Sequence, residues 1–385
     1  MPTRSYINDI KADLFDANTF YVALDNHKEG DYKPYLLKTT DKGLTWKNMT
    51  SNLKAPNLIW RLVQDHVDKN LLFIGTEFGI YFSNDGGGRW TQLKSGLPVI
   101  SFRDLAIQRR ENDLVAASFG RSIYVLDDYS ALRQINEQQL KTESKLFSVR
   151  DAWWYVPRSH LGFYGKRGDQ GAGHFVADNP PFGAVFSYYL PKGLQTKKEQ
   201  RQAAEKEKKE GNQTVPDWKL LDGEASELKP KIWLMVSNEA GELIRRIEAP
   251  ATKGFHRVAW DLKHPTPNVI KLTPDPAPEW GGPPSGLMAA PGRYTVSMAQ
   301  EENGILTALS EPQTFEVKPL RKGSLPGSSM EEVTAFWRSY EKAVRESSAM
   351  MLSLNTAIKT VDAMQKAIAQ SNAPAGDLDK EVHEL

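Results

Sequence analysis

One short motif occurs twice in this 385-residue chain and constrains its fold more than any other feature. It reads [ST]-x-D-x-G-x-[TR]-W, at residues 39–46 and again at residues 83–90. The Ser or Thr and the Asp can accept hydrogen bonds from nearby backbone N–H groups, and the Gly allows the positive φ of a tight turn. Because each copy follows an apolar run, the motif predicts a β-hairpin turn with a Trp ring beside it.

Eight residues are predicted to hold these two turns in place. We interpret their role as structural, because the spacing of the copies ties them to a repeat rather than to a single catalytic or calcium-binding loop. They are Thr39, Asp41, Gly43, Trp46, Ser83, Asp85, Gly87 and Trp90.

The motif belongs to a longer sequence unit that occurs three times. The spellings Ile-Asn-Asp-Ile, Ile-Trp-Arg-Leu and Phe-Arg-Asp-Leu begin at positions 7, 59 and 102, and Asp41, Asp85 and Asp128 follow one another at 44 and 43 residues. In the third unit Ser130 and Arg133 replace the Gly and Trp of the motif, as expected of a terminal repeat. Repeats of about 40 to 45 residues are typical of β-propeller blades, so residues 1–135 are predicted to form about three blades.

The motif resembles the Asp-box, or BNR repeat, of sialidases, sortilins and related propellers. In those proteins it is a fold-stabilising turn remote from the active centre. Three blades cannot close a ring, since propellers have typically four to eight. The repeats therefore predict the C-terminal blades of a larger protein, with the missing N-terminal blades of that parent as a partner.

Residues 136–181 are predicted to be a linker with an aromatic cluster at 153–155 and a Gly-rich stretch at 162–173. The cluster could be a sugar-stacking platform or an interdomain hydrophobic plug. Six short alternating strands then predict an immunoglobulin-like β-sandwich over 182–320, with a charged insertion at 192–230 and a Pro- and Gly-rich loop at 273–286. The spellings at 239–245, 254–262 and 290–296 resemble the sandwich domain of flagellar hook-capping proteins.

The C-terminal part of the chain is predicted to be helical. A Ser-Met-Glu-Glu capping box at 329–332 precedes apolar residues at helical spacing, which indicates a helix or a helical hairpin over 328–370. The Ser347-Ser348 pair marks either a kink or a point within one long helix. Residues 371–385 lack apolar periodicity and are predicted to be a frayed tail.

Composition excludes several classes of function. A formal charge of +1 does not indicate the basic surface that nucleic-acid binding requires. The lack of cysteine excludes disulfides and thiolate chemistry. No apolar run is long enough to span a membrane. The seven histidines have no metal-ligand spacing, and there is no phosphate loop or nucleophile elbow. We therefore predict no cofactor and no metal site.

The sequence offers three candidates for catalysis. Glu77 and Asp104 could serve as a carboxylate pair, and Arg121, on the equivalent connection of the next repeat, could pair with Glu77. A structural ion pair is the alternative explanation.

The order of Asp-box repeats, sandwich and terminal helices resembles the C-terminal part of large bacterial sortilin-like proteins, many labelled glycosyl hydrolases. This resemblance implies a secreted or periplasmic parent. It leaves two hypotheses: a non-catalytic recognition or scaffold portion that binds protein, peptide or glycan on the propeller face, or the C-terminal part of a sialidase- or xyloglucanase-like glycoside hydrolase. Whether the parent is an enzyme stays open, and the chain alone favours the first.

Overall fold

The computed structural model describes residues 4–157, 177–207, 216–273, 285–321 and 327–384. The described chain is mostly β with a long C-terminal helix, which confirms the predicted fold class. It divides into two compact units. The first comprises Met1–Ser148, Ser187–Gly193 and Thr252–His256, and the second comprises Val149–Phe186, Leu194–Ala251 and Arg257–Leu385. The predicted Gly-rich stretch at 162–173 and nearly all of the predicted loop at 273–286 lie outside the described residues.

Three antiparallel sheets in which sequential strands are neighbours form most of the first unit. The first sheet contains β1 (Tyr6–Ala12), β2 (Phe20–Asn26), β3 (Asp31–Thr39) and β4 (Lys47–Asn48). The second contains β5 (Ile59–Gln64), β6 (Leu72–Thr76), β7 (Gly79–Ser83) and β8 (Thr91–Leu93). The third contains β9 (Phe102–Gln108), β10 (Asp113–Ser118) and β11 (Ile123–Leu126).

These sheets are arranged like neighbouring propeller blades. The first strands of successive sheets are adjacent, since β5 contacts both β1 and β9. One apolar core lies between the first and second sheets and includes Leu36, Leu62 and Ile74. A second core, including Phe73 and Phe102, lies between the second and third sheets. The second sheet therefore buries both faces, which is the packing of a blade within a β-propeller.

The two Asp-containing turns are held by their own side chains. The Asp41 carboxylate accepts hydrogen bonds from the Thr45 backbone N–H at 2.8 Å and the Thr45 hydroxyl at 2.6 Å. The hydroxyls of Thr39 and Ser83 accept from the N–H groups of Gly43 and Gly87, both at 2.8 Å. Hydrogen bonds from the Thr45 hydroxyl, the Thr45 N–H and the Thr39 hydroxyl lower the pKa of Asp41 to about 2. The motif thus satisfies its own polar groups, while its role as a stabiliser of the fold stays a prediction.

One backbone hydrogen bond recurs in all three sheets at the spacing of the sequence repeat. In each sheet the residue after the repeat Asp donates its backbone N–H to the carbonyl of an Asn on the preceding turn. The pairs are Lys42 to Asn18 at 3.0 Å, Gly86 to Asn70 at 2.9 Å and Tyr129 to Asn112 at 2.8 Å. The third unit therefore keeps the backbone geometry of the motif, although a 3₁₀ helix, Tyr129–Gln134, follows β11 where the other sheets have a fourth strand.

The two motif tryptophans have different surroundings. Trp90 is 2% exposed and contacts the first sheet, where its indole N–H donates to the Met49 carbonyl at 2.7 Å. Its backbone N–H donates to the Asn52 side chain at 2.8 Å. Trp46 is 38% exposed and packs edge-on against Phe20 within its own sheet. The difference arises because Trp90 has a preceding sheet to pack against and Trp46, among the described residues, does not.

Two further sheets follow in the chain. The smaller has the order β12-β14-β17 and the larger the order β13-β20-β18-β15-β16, with β19 paired to β18. The strands are β12 (Lys145–Leu146), β13 (Ala152–Trp154), β14 (Ala184–Leu190), β15 (Lys231–Asn238), β16 (Leu243–Ala249), β17 (Gly254–Trp260), β18 (Gly292–Glu302), β19 (Ile305–Ala308) and β20 (Gln313–Pro319).

An aromatic core in the second unit joins strands of these two sheets. Trp260 is buried and contacts Tyr294 and Phe315, with ring centroids 5.2 and 6.3 Å apart. Phe186 is fully buried against Phe315. Side chains from two sheets meeting in one apolar layer are the packing of a β-sandwich.

The charged insertion predicted at 192–230 contains two helices, α1 (Lys197–Glu207) and α2 (Trp218–Ser226), while residues 208–215 lie outside the described residues. Arg201 joins the helices through a two-bond ion pair with Glu224, at 2.7 and 2.8 Å. The insertion thus has ordered helical parts, and its mixed charges pair with each other.

The C-terminal region is a single helix followed by a short one. The helix α3 (Met330–Gln370) begins with the predicted capping box and continues through the Ser347-Ser348 pair, so that pair is not a break. The prediction of a frayed tail needs correction, because α4 (Leu378–Glu384) forms within it and contacts α3. Val382 is 8% exposed. The helix has only two apolar residues, Leu378 and Val382, and two positions are too few to establish a helical period, so the sequence pattern could not reveal this contact.

Candidate functional site

The first strand of each sheet in the first unit contains a β-bulge at the same repeat position. Pairing skips from Ile7 to Asp9 in β1 and from Ile59 to Arg61 in β5. In β9 it skips from Phe102 to Asp104. The bulged residues are therefore Asn8, Trp60 and Arg103. A bulge re-aims a side chain out of the regular alternation of the strand, and bulges are common beside active and binding sites.

All three bulged side chains line one cavity of about 540 Å³, which we call the bulge cavity. Its walls come entirely from the first unit. They combine aromatic rings, charged groups of both signs and amides, and the other residues are Tyr6, Ile7, Asp25, His27, Lys28, Tyr32, Pro56, Asn57, Leu58, Glu77 and Phe78. A concave site with a few convergent polar groups is the usual form of a ligand-binding site.

Trp60, Arg103 and Glu77 are held by one another. The Trp60 indole N–H donates to Glu77 Oε2 at 2.9 Å, and the Arg103 guanidinium lies over the Trp60 ring, 3.5 Å from its centroid. The closest approach of Arg103 to Glu77 is 3.7 Å, between Nη2 and Oε2. A cation above an indole face and a carboxylate on the indole N–H fix all three side chains before any ligand arrives.

Asp25 occupies the same repeat position as Glu77. Asp25 lies opposite Tyr6 in the β1–β2 register, and Glu77 lies opposite Leu58, to whose carbonyl its backbone N–H donates at 2.9 Å. Asp25 is 1% exposed and its carboxylate is bonded to His27 Nδ1 and to the His27 backbone N–H. The end of β2 thus contributes a second carboxylate to the bulge cavity, and the 3₁₀ helix that follows it, His27–Glu29, contributes a histidine.

Asn57 gives the cavity a buried acceptor. Its backbone N–H donates to the Tyr32 carbonyl at 3.0 Å, and its side chain is 4% exposed. Within the described part of the chain its Oδ1 atom has no hydrogen-bond partner. A buried unpaired acceptor is costly, so this wall of the cavity carries an unmet hydrogen-bonding requirement.

The three residues proposed from the sequence as catalytic candidates lie in different places. Glu77 lines the bulge cavity. Asp104 is not among the residues of that cavity, and instead pairs with Arg61 at 2.7 Å, which also pairs with Asp9 at 3.0 Å. Arg121 is exposed on the β10–β11 turn, and among the described ion pairs the partner of Glu77 is Arg103. The expected pairing of Arg121 with Glu77 is therefore replaced by Arg103, because the bulge brings position 103 toward Glu77.

The sequence pattern missed Asn8, Trp60, Arg103 and Asp25. A signal for these positions was present in the repeat. The second residue is polar or aromatic in each of the aligned segments Ile-Asn-Asp-Ile, Ile-Trp-Arg-Leu and Phe-Arg-Asp-Leu. A bulge is a property of backbone pairing, however, and a run of four residues does not disclose it.

Within the described residues, no group of three or more His, Asp or Glu side chains could hold a metal ion. His160 and His174 lie outside the described residues. None of the helices described here is both long enough and apolar enough to cross a membrane.

No model of a known protein family matches the sequence, and no curated protein matches it significantly. Among solved structures, YCF48 bound to D1 peptide is 19% identical over 38% of this chain and 44% of that chain, with a TM-score of 0.25. The β-propeller domain of Cps50 (Swd1) from Myceliophteria thermophila is 11% identical over 40% and 52%, with a TM-score of 0.27. An ancestral GH74 enzyme is 12% identical over 48% and 25%, with a TM-score of 0.26.

The chain thus spans about half or less of each of these structures. At such TM-scores the likenesses support no inference about ligand or activity.

Proposed function

We propose that this chain is a non-catalytic recognition portion of an exported bacterial β-propeller protein, and that its bulge cavity binds a segment of polypeptide. The observation that carries the proposal is the pre-organised group of Trp60, Arg103 and Glu77 at the wall of the cavity. Pre-organised side chains lose little conformational entropy on binding, which favours affinity.

The chemistry of the walls favours a peptide over a sugar. A polypeptide presents alternating N–H donors and carbonyl acceptors. The side chains of Arg103 and Lys28 line the cavity and can donate to such carbonyls or to carboxylates. One face of the Trp60 ring is already covered by the Arg103 guanidinium, so that face does not offer the flat surface on which a sugar ring stacks.

A second candidate function is glycoside hydrolysis, and one observation favours it. Asp25 and Glu77, at equivalent repeat positions, line the same cavity. Most glycosidases place two carboxyl groups on either side of the scissile bond. Against this, Glu77 accepts the Trp60 indole N–H and the Asp25 carboxylate is engaged by His27, so both groups already have structural partners.

A selection experiment tests peptide recognition. The full chain would be immobilised and screened against a random peptide library and, in parallel, a glycan array. The affinity of a selected peptide would then be measured by calorimetry for the wild type and for Arg103→Ala and Glu77→Gln. Arg121→Ala, an exposed arginine away from the cavity, is the matched control.

We expect Arg103→Ala and Glu77→Gln to weaken peptide binding by about tenfold or more, equivalent to about 1.4 kcal/mol, with Arg121→Ala unchanged. Selection of glycans alone would contradict peptide recognition. Turnover of aryl glycosides or polysaccharides that is lost in both Asp25→Asn and Glu77→Gln, and kept in Asp104→Asn, would instead support the hydrolase.

A further inference from the structure

Both carboxylates of the bulge cavity have partners within the protein. Asp25 is buried, and its carboxylate is bonded to His27 Nδ1 and to the His27 backbone N–H. Glu77 accepts the Trp60 indole N–H at 2.9 Å. Hydrogen bonds to a carboxylate offset the cost of removing it from water. Each negative charge of the cavity therefore has a donor before a ligand arrives.

The two cations that line the same cavity lack such partners. Within the described residues, neither the Arg103 guanidinium nor the Lys28 ammonium group donates a hydrogen bond. The contact of Arg103 with Glu77 is 3.7 Å long, between Nη2 and Oε2, which exceeds hydrogen-bond distance. The Arg103 guanidinium instead lies over Trp60, 3.5 Å from the ring centroid. Lys28 Nζ lies over Tyr6, 4.3 Å from the ring centroid. Both cations are thus held on ring faces and keep N–H donors for a ligand.

These two cations belong to different sheets of the first unit. Arg103 is the bulged residue of β9 in the third sheet. Lys28 lies in the 3₁₀ helix His27–Glu29, which follows β2 of the first sheet. The second sheet lies between the first and the third, since β5 contacts both β1 and β9. A ligand that pairs with both cations therefore needs two separate anionic groups.

We infer that the polypeptide bound by the bulge cavity is an acidic segment, with one carboxylate on Arg103 and a second on Lys28. This inference rests on the proposed peptide recognition. A carboxylate matches the planar fork of an arginine, whose parallel N–H groups can bind both of its oxygens. The Trp60 ring holds that fork in place, so little conformational entropy is lost on binding. The carboxylates can come from Asp and Glu side chains or from a free C-terminus.

Two matched peptide libraries test the charge requirement. They have the same length and the same random positions, but one carries Asp and Glu where the other carries Asn and Gln. Each is made with a free and with an amidated C-terminus. The full chain should enrich peptides from the acidic library at least about tenfold over the neutral one. Enrichment kept after amidation would assign both carboxylates to side chains, and a reduction on amidation would assign one to the C-terminus.

Neutral substitutions of the two cations identify the residues responsible. Arg103→Gln and Lys28→Gln should each raise the dissociation constant of a selected acidic peptide about tenfold or more. Added salt should weaken binding to the wild type, because it screens exposed charges. Arg121→Gln and Lys94→Gln remove the same charges from exposed positions that do not line the cavity, and should leave the affinity unchanged. Circular dichroism would confirm that each variant is folded.

A charge exchange separates direct pairing from a structural effect of substitution. Lys28 is exposed, so Lys28→Glu should fold like the wild type. Each carboxylate of a selected peptide is replaced in turn by an amine. One of these analogues should bind Lys28→Glu at least about tenfold more tightly than it binds the wild type, because opposite charges again face each other.

The outcomes distinguish this inference from the proposed function. Equal selection from the acidic and neutral libraries would overturn the acidic ligand and leave peptide recognition standing. Unchanged affinity in both Arg103→Gln and Lys28→Gln, or no amine analogue that prefers Lys28→Glu, would overturn it in the same way. Selection of no peptide from any library would contradict peptide recognition itself, and the acidic ligand with it.

Discussion

Arg133 donates two hydrogen bonds to the buried carboxylate of Asp65, both at 2.8 Å, and so joins the turn after the third sheet to the second sheet. Arg133 stands at the repeat position that Trp46 and Trp90 occupy in the other units. Tyr129 adds a third hydrogen bond to Asp65 at 2.7 Å. The third repeat has thus exchanged a packed indole for an ion pair, and its lost motif does not leave it unanchored.

This ion pair predicts a loss of stability in acid. Burial by itself would raise the pKa of Asp65, but hydrogen bonds from Arg133 and Tyr129 outweigh it and lower the pKa to about 2, from an ordinary value of 3.8. Because the folded-state pKa is the lower one, the contribution is complete above the unfolded-state pKa and is lost as the pH falls toward 2. It amounts to about 2 kcal/mol.

Urea unfolding between about pH 5 and about pH 2 measures this loss. Asp65→Asn should be destabilised near neutral pH and should lose less stability than the wild type on acidification. Asp362→Asn, an exposed position on α3, is the matched control and should follow the wild-type curve. Parallel curves for wild type and Asp65→Asn would show that Asp65 is not the group responsible.

The unequal burial of the motif tryptophans predicts unequal costs of substitution. Trp90→Ala removes a buried ring and leaves the Met49 carbonyl without its indole donor, so the free energy of unfolding should fall by about 3 to 5 kcal/mol. Trp46→Ala should lower the free energy of unfolding clearly less, because Trp46 is partly exposed. Chemical denaturation of both variants checks the order. Equal losses would mean that the ring of Trp46 is as buried in solution as that of Trp90.

Gly75 lies on β6, where the second sheet packs against β9 of the third, and this close packing gives a steric prediction. A Cβ atom on Gly75 would lie 2.6 Å from the backbone carbonyl oxygen of Phe102, which cannot move without shifting β9. Gly75→Ala should therefore destabilise the first unit by about 1 to 3 kcal/mol. Gly223→Ala is the control, because nothing lies within 4 Å of its added Cβ and it lies in α2. That variant should be neutral or stabilised by up to about 1 kcal/mol. Thermal melts of both would decide the matter.

Much of the fold of the first unit could be predicted because its sequence consists of repeated units. The 44- and 43-residue spacing of Asp41, Asp85 and Asp128 reappears as the same N–H to carbonyl bond in all three sheets. Alternating apolar residues and turn signals similarly disclosed the strands of the sandwich. These features depend on residues close in sequence, which is where pattern reasoning is strongest.

The candidate site depended on contacts between repeats and was only partly predictable. Glu77 was proposed from the sequence, but its partners Trp60 and Arg103 come from two different strands and reach it through bulges. Asp104 and Arg121 looked equally suitable because the sequence shows which residues are charged but not where their side chains point. The direction of a side chain at a bulge is set by backbone pairing across the sheet, which no local pattern contains.

The Asp-containing turns and the bulge cavity should respond to substitution independently. Asp85 accepts hydrogen bonds from the Ser83 hydroxyl at 2.6 Å and the Arg89 backbone N–H at 2.9 Å, and is not among the residues of the cavity. By comparison with helix-capping carboxylates, Asp85→Ala should lower the free energy of unfolding by about 0.5 to 2 kcal/mol while leaving peptide affinity unchanged. Arg103→Ala should show the opposite pattern. Denaturation and calorimetry on the same preparations measure both quantities, and a selective loss of binding in stably folded Asp85→Ala would move the ligand site from the bulge cavity to the hairpin turns.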